Sequence, residues 1–135
     1  MATFPLQVVS MDGLIYEGQV QQIIVRTVQG DVAILARHMN YCTALGMGRA
    51  RILLEDGTEK EAACIGGMLS VMDGTCRVIS TTWEWGENID LERAKAAKKK
   101  AEERLADTTL SKEARVRAEA KLYRALVRIS TASKE

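Results

Sequence analysis

Four residues in the C-terminal third have the types and spacing for anion chemistry: Asp90, Arg93, Arg124 and Arg128. Arg124 and Arg128 stand four apart, which on a helix puts both on one face. If the chain folds back about Thr109, Asp90 lies opposite Arg128 and Arg93 opposite Arg124. One carboxylate and three guanidinium groups then gather at the open end of a helical hairpin. Planar, permanently charged forks converging on one spot suit a phosphate group. The same spacing also fits an ordinary surface ion pair of Asp90 with Arg128 or Arg93, worth under about 1 kcal/mol, and spacing alone leaves both readings open. No GxxxxGK[ST] phosphate loop is present, so the pattern supports binding rather than nucleotide hydrolysis.

The remaining reactive side chains assemble no catalyst. His38 is the sole histidine, with no nearby nucleophile motif to make it a general base, and it reads as a loop residue contacting a partner. Cys42, Cys64 and Cys76 fit neither a disulfide framework nor a CxxC metal motif and read as buried, reduced thiols. No metal site is expected. An enzyme is therefore the poorest reading, and a non-catalytic binding or regulatory role the better one.

Charge and hydropathy narrow the partners. A formal net charge of +1 over 135 residues gives no footprint for nucleic acid. Lys95, Lys98, Lys99, Lys100, Arg104, Arg115 and Arg117 make the helical region locally basic, as solvated helix faces do. No run approaches the roughly 18 apolar residues of a membrane helix. Ala2-Thr3-Phe4-Pro5 lacks the basic and apolar regions of a signal peptide. The expectation is a cytoplasmic protein that does not insert directly into a membrane.

Two regions must position these groups. From Phe4 to Ser80 the sequence is rich in Val, Ile and Thr and punctuated by Asp12-Gly13, Gln29-Gly30, Asp56-Gly57 and Asp73-Gly74. That pattern predicts nine short strands: 4–9, 14–20, 22–27, 31–35, 41–45, 48–54, 59–65, 68–72 and 75–80. Their spacing favours a sandwich or closed barrel. Trp83 and Trp85 alternate as on a strand or extended linker, either packing between the two regions or serving as a partner hot spot.

From Asn88 onward glycine vanishes and Ala, Lys, Glu, Arg and Leu dominate, broken only at residues 107–111. Two helices follow, with Asn88 and Ser111 as expected caps. One stripe carries Leu91, Ala94, Ala97, Ala101 and Leu105; the other carries Ala114, Ala118, Leu122, Ala125 and Ile129. The domains are expected at 1–86 and 87–135. Alanine removes little apolar area from water at roughly 25 cal/mol per Å², so the hairpin should be weakly held.

Three motifs in order resemble a known family. Gly30-Asp31-Val32-Ala33-Ile34-Leu35, followed by His38 and Thr43-Ala44-Leu45, looks like GEIGILPGHAPLLTAL; Gly66-Gly67-Met68-Leu69-Ser70-Val71 looks like GGFLEV; Ile89-Asp90-Leu91-Glu92-Arg93-Ala94 fits IDxxRA. These are the motifs of the epsilon subunit of the bacterial rotary (F-type) ATP synthase, which the chain resembles over nearly its full length. The resemblance implies a ten-stranded β-sandwich followed by an antiparallel two-helix hairpin. It implies a central-stalk subunit on the cytoplasmic face of the plasma membrane, touching the gamma subunit and the c-ring. In such proteins the helices either fold down or extend toward the alpha and beta subunits, and the extended form inhibits ATP hydrolysis.

The resemblance requires no cofactor, but some members bind ATP as a regulatory ligand. The corresponding residues here are Ile89, Asp90, Arg93, Ala94, Arg124 and Arg128, with Glu84 or Glu87 as the accompanying acid. The chain departs from the family where Ala36-Arg37 replaces Pro-Gly and Met39-Asn40-Tyr41-Cys42 replaces Ala-Pro-Leu-Leu. Its two tryptophans are also unusual before the helices. From the fold pattern alone, a free-standing β-sandwich binding module with a helical interaction arm is the competing reading.

Overall fold

In the structure, a computed structural model that describes residues 2–133, six strands precede two helices. The strands are β1 (Phe4–Ser10), β2 (Gly13–Thr27), β3 (Gly30–Leu35), β4 (Tyr41–Leu54), β5 (Glu59–Met72) and β6 (Thr75–Trp85). A 3-10 turn at Gly86–Asn88 leads into α1 (Leu91–Leu105) and α2 (Lys112–Ser133). The chain divides into two compact units, one ending at Trp85 and the other beginning at Gly86. The expected class, a β-sandwich followed by two C-terminal helices, is found.

Fewer and longer strands appear than the sequence pattern predicts, because turn residues mark chain reversals but not bends within a continuous ladder. The predicted pairs 14–20 with 22–27, 41–45 with 48–54, and 59–65 with 68–72 are single strands β2, β4 and β5. The last predicted strand continues beyond Ser80 to Trp85, so both tryptophans lie on β6 rather than in a linker. The six strands are fewer than the ten that the resemblance implies, since β2, β4 and β5 each run through as one strand.

Strand order is β1-β6-β5-β4-β2-β3, and a further β1–β2 pairing closes the ring. β2 changes partner in mid-strand: Val20 faces Phe4 of β1, whereas Gln22 faces Leu35 of β3. Gln21 sits at the change, and its buried amide Nε2 donates to Leu54 O and Glu55 O, each at 3.2 Å. Alternate residues point inward, as the period of two requires. Leu6, Val8, Val20, Ile23, Val25, Ile34, Ile52, Leu69 and Val78 form the centre of the core. Each contributes about 1.5–3 kcal/mol of transfer free energy when fully buried.

The sharpest bend is at Gly66 and Gly67, with φ of 75° and 122°. A Cβ on Gly67 would stand 2.0 Å from Ile79 O of the neighbouring strand. Gly57, at φ 89°, has nothing within 4 Å of such a Cβ. The two glycines separate backbone conformation from steric fit. Gly57→Ala should cost about 1 kcal/mol of sandwich stability, and Gly67→Ala about 3 kcal/mol or more because β6 must also move. Denaturant unfolding of the two variants checks this, and equal costs would remove the bend's packing role.

Candidate functional site

The helical unit opens on a side-chain cap. Asp90 adopts an extended conformation (φ −80°, ψ 98°) and its Oδ1 accepts from Arg93 N at 3.1 Å. Glu92 adds negative charge in the first turn, where the helix dipole favours it. Asn88, the expected cap, instead belongs to the 3-10 turn, because Ile89 N bonds back to Gly86 O at 3.3 Å and delays the helix. Ser111 does cap α2, its Oγ accepting from Ala114 N at 3.2 Å.

Along the two helices the buried positions are largely alanine. Ala94 and Ala101 of α1 and Ala114, Ala118 and Ala125 of α2 are buried, and Leu91, Leu105, Leu122 and Ile129 are half-buried. Ala97 is exposed, contrary to the expected stripe. Val127 and Thr131 are buried without having been anticipated, Thr131 because its Oγ1 donates to Val127 O at 2.7 Å and so needs no outside partner. At about 0.8 kcal/mol per methyl, the five alanines contribute about 4 kcal/mol together. Two or three leucines would do as much.

The expected anion site divides by exposure. Asp90 and Arg93 are exposed at the start of α1, whereas Arg124 and Arg128 are half-buried, one turn apart in the later part of α2. Ile89 is half-buried before the cap, and Ala94 is buried one turn inside α1. The Asp90 carboxylate already caps its helix. These groups can hold an anion but cannot activate one. Among the described residues, no cluster of His, Cys, Asp and Glu could hold a metal ion.

Glu84 lies in the other unit, half-buried on β6 opposite Ala63, and Glu87 is exposed in the 3-10 turn. Trp83 and Trp85 are half-buried and pack against the sandwich core. Their rings meet edge to face at 5.4 Å, Tyr16 meets Trp85 at 6.1 Å, and Lys60 Nζ lies 4.1 Å from the Trp85 ring centroid. Trp83 Nε1–H is buried and meets no acceptor among the described residues.

His38 is half-buried in the β3–β4 loop. Its N–H donates to Leu35 O at 3.2 Å, and Nδ1 lies 2.8 Å from Met39 O. Arg37 before it has φ 66°, a left-handed conformation that costs a residue with Cβ about 1–2 kcal/mol and suits the glycine of the family motif. Cys64 and Cys76 are buried, and burial pushes the Cys76 thiol up to about 12. Cys42, expected inside, is exposed, because it lies on an outward-facing position of β4 beside Ser70.

Two family models match this chain in the order of its two units. The first, described as ATP synthase, Delta/Epsilon chain, beta-sandwich domain, matches residues 3–86. The second, its long alpha-helix domain, matches residues 87–133. The chain belongs to the ATP synthase delta/epsilon family.

Relatives named ATP synthase epsilon chain support the same assignment. Those of Caldicellulosiruptor bescii and Shouchella clausii are each 38% identical over 98% of this chain, covering 95% and 96% of their own lengths. That of Caldanaerobacter subterraneus is 40% identical over 98% of this chain and 95% of its own. A chain in the cryo-EM structure of the Euglena gracilis mitochondrial ATP synthase shares the fold. Its TM-score is 0.85 at 23% identity, covering 100% of this chain and 83% of that one. As an epsilon chain, the protein is a subunit of the complex and not itself its catalyst. No helix among the described residues is long and apolar enough to cross a membrane.

The turn joining the epsilon-chain helices carries one perturbed carboxylate. The Thr109 hydroxyl donates to Asp107 Oδ1 at 2.6 Å and Thr109 N donates at 2.9 Å. These bonds, hydroxyl first, hold the Asp107 carboxyl below its ordinary 3.8, with Arg104 and Arg115 lowering it further. A depressed folded pKa means the stabilisation is complete above the ordinary value and is lost as pH falls through the folded one. The helical circular-dichroism signal should therefore weaken on acidification below about pH 4, and Asp107→Asn should remove that part of the pH dependence. Asp90→Ala should destabilise the helical unit at neutral pH by about 1 kcal/mol through loss of the cap. Arg124→Ala, which removes no cap, should leave the helical content intact.

Proposed function

We propose that this epsilon chain is a central-stalk subunit of an F-type ATP synthase on the cytoplasmic face of a bacterial plasma membrane. Its sandwich would dock on the gamma subunit and the c-ring, coupling proton or sodium flow to ATP synthesis. Its helices would restrain ATP hydrolysis by extending toward the alpha and beta subunits. The observation that carries this reading is the full-length match, both domains in order, to epsilon chains.

A feature of the sandwich supports docking. Ala44 on β4 pairs with Met68 on β5, Met68 with Ile79 on β6, Ile79 with Val9 on β1, and Val9 with Leu14 on β2. This row crosses five strands and faces outward, since its chain neighbours Leu45, Leu69, Val78 and Val8 are buried. Leu14, Met68 and Ile79 remain 59%, 43% and 49% exposed. The next row is polar, with Arg77 Nε donating to Gln7 Oε1 at 3.0 Å and Gln7 Nε2 donating to Glu17. An apolar strip with a polar border is the anatomy of a protein interface. Ile79→Glu should weaken gamma binding by tenfold or more without unfolding the sandwich, as read by co-purification and by denaturant midpoint. If the variant still binds gamma normally, the row is not the interface.

For regulation, the alanine-built hairpin is the supporting feature, because opening it forfeits little apolar burial. The ATP ligands proposed are Ile89, Asp90, Arg93, Ala94, Arg124 and Arg128. A ligand that binds only the folded hairpin stabilises it by about 2.7 kcal/mol at a hundred times its dissociation constant. Titrating ATP while following thermal unfolding of the helices tests this. Stabilisation lost in Arg124→Ala and Arg128→Ala is expected, and an unchanged unfolding profile at millimolar ATP would leave only the ion-pair reading. The subunit assignment fails separately if the chain neither binds a gamma subunit nor alters hydrolysis by an epsilon-depleted complex.

A further inference from the structure

The turn between the helices is held by one side chain that reaches backward across it. Arg115, in the first turns of α2, is half-buried and sends Nη1 to Leu105 O at 3.3 Å and Nη2 to Asp107 O at 3.2 Å. Leu105 is the last residue of α1, so one guanidinium satisfies a carbonyl at its C-terminus, where positive charge is favoured. Asp107 meanwhile holds Thr109 through both its N–H and its hydroxyl, and Ser111 starts α2. The polar bonds that fix chain direction are thus concentrated at the turn, while the buried positions of the helices are mostly methyl groups.

These two bonds exist only when the chain reverses. Were residues 106–111 to continue as helix, Arg115 would lie about 15 Å along the axis from Leu105, beyond the reach of its side chain, and both bonds would break. The alanine seam, at about 4 kcal/mol, holds the closed hairpin only modestly, so two further bonds shift the balance between closed and open. We infer that Arg115 is the latch of the hairpin: its two-carbonyl clamp sets the equilibrium between α1 and α2 folded back and α1 and α2 opened. The regulatory purpose of the latch rests on the proposed function, but its physical action is read in the free chain and stands or falls independently.

The experiment is an interhelical distance measurement on the full chain. Spin labels at Lys95→Cys and Lys121→Cys, in a Cys42→Ser background, sit across the hairpin on helices packed about 8–10 Å apart. In a straightened arm they would be about 39 Å apart. Arg115→Ala should raise the population of the long distance on the order of tenfold, as expected for losing two hydrogen bonds from a charged donor, with helical content and the sandwich transition unchanged. Arg115→Lys keeps the charge but not the fork, and should open nearly as far as the alanine variant. A distance distribution in Arg115→Ala indistinguishable from wild type would overturn the latch. So would full rescue by lysine, which would reduce the effect to charge, or a loss of helicity matching the lost short distance. Loss of gamma binding or ATPase regulation in wild type would overturn the subunit assignment while leaving this result standing.

Discussion

β1 is hydrogen-bonded on both sides, antiparallel to β2 and parallel to β6, and the sandwich depends on that double pairing. It turns an open sheet into a ring, β1-β6-β5-β4-β2, with β3 attached outside. Closure brings Leu6 and Val8 against the inner faces of both flanking strands, so Val20, Cys76 and Val78 share one core with them. It also makes the outer apolar row continuous. Val9 joins Leu14 on one side to Ile79 on the other, and without β1 the row would be two fragments. The strand that completes the core therefore also completes the proposed docking face.

The helical unit is built on different physics. The sandwich is specified by many large side chains, each costly to expose, whereas the hairpin buries mostly alanines and takes its geometry from caps and turn bonds at Asp90, Asp107, Ser111 and Arg115. Hydrogen bonds exposed to water contribute on the order of 1 kcal/mol each. A few of them can fix the direction of the chain and still be exchanged for bonds to another surface. That division fits the proposed roles of the two units, a docking body and a regulatory element drawn from the low end of the stability range.

The legible parts of the sequence were those governed by period and by turn chemistry. Alternating Val and Ile and the Asp-Gly pairs gave the strand positions, and the change to Ala, Lys and Glu after Asn88 gave the helices. Bends inside β2 and β5 were not legible, because Gln21 and Gly66-Gly67 redirect a ladder without breaking it, and only the neighbouring Ile79 carbonyl shows why Gly67 must lack a side chain. Ala97 and Asn88 were misplaced by one helical face and one cap. Arg115, expected to solvate a helix face, instead reaches back ten residues across the turn to Leu105 O, a contact that leaves no periodic trace. Of the proposed anion site, the residue types and the helix shared by Arg124 and Arg128 follow from the sequence, whereas the engagement of Asp90 as a cap depends on its extended backbone and on where α1 starts.

That engagement bears on how the proposed ATP site can be separated from the fold. Asp90 serves the helix whether or not a ligand is present, since its Oδ1 bonds Arg93 N in the free chain. A loss of binding in an Asp90 variant therefore has two sources, a missing ligand group and a frayed α1. Arg124 and Arg128 lie inside α2, well beyond its N-cap at Ser111, and their backbone bonds do not depend on their guanidinium groups. Removing either charge alters the electrostatics at the open end while the helix persists. The arginines, rather than the aspartate that begins the family motif, are the residues that can attribute a nucleotide effect to binding and not to folding.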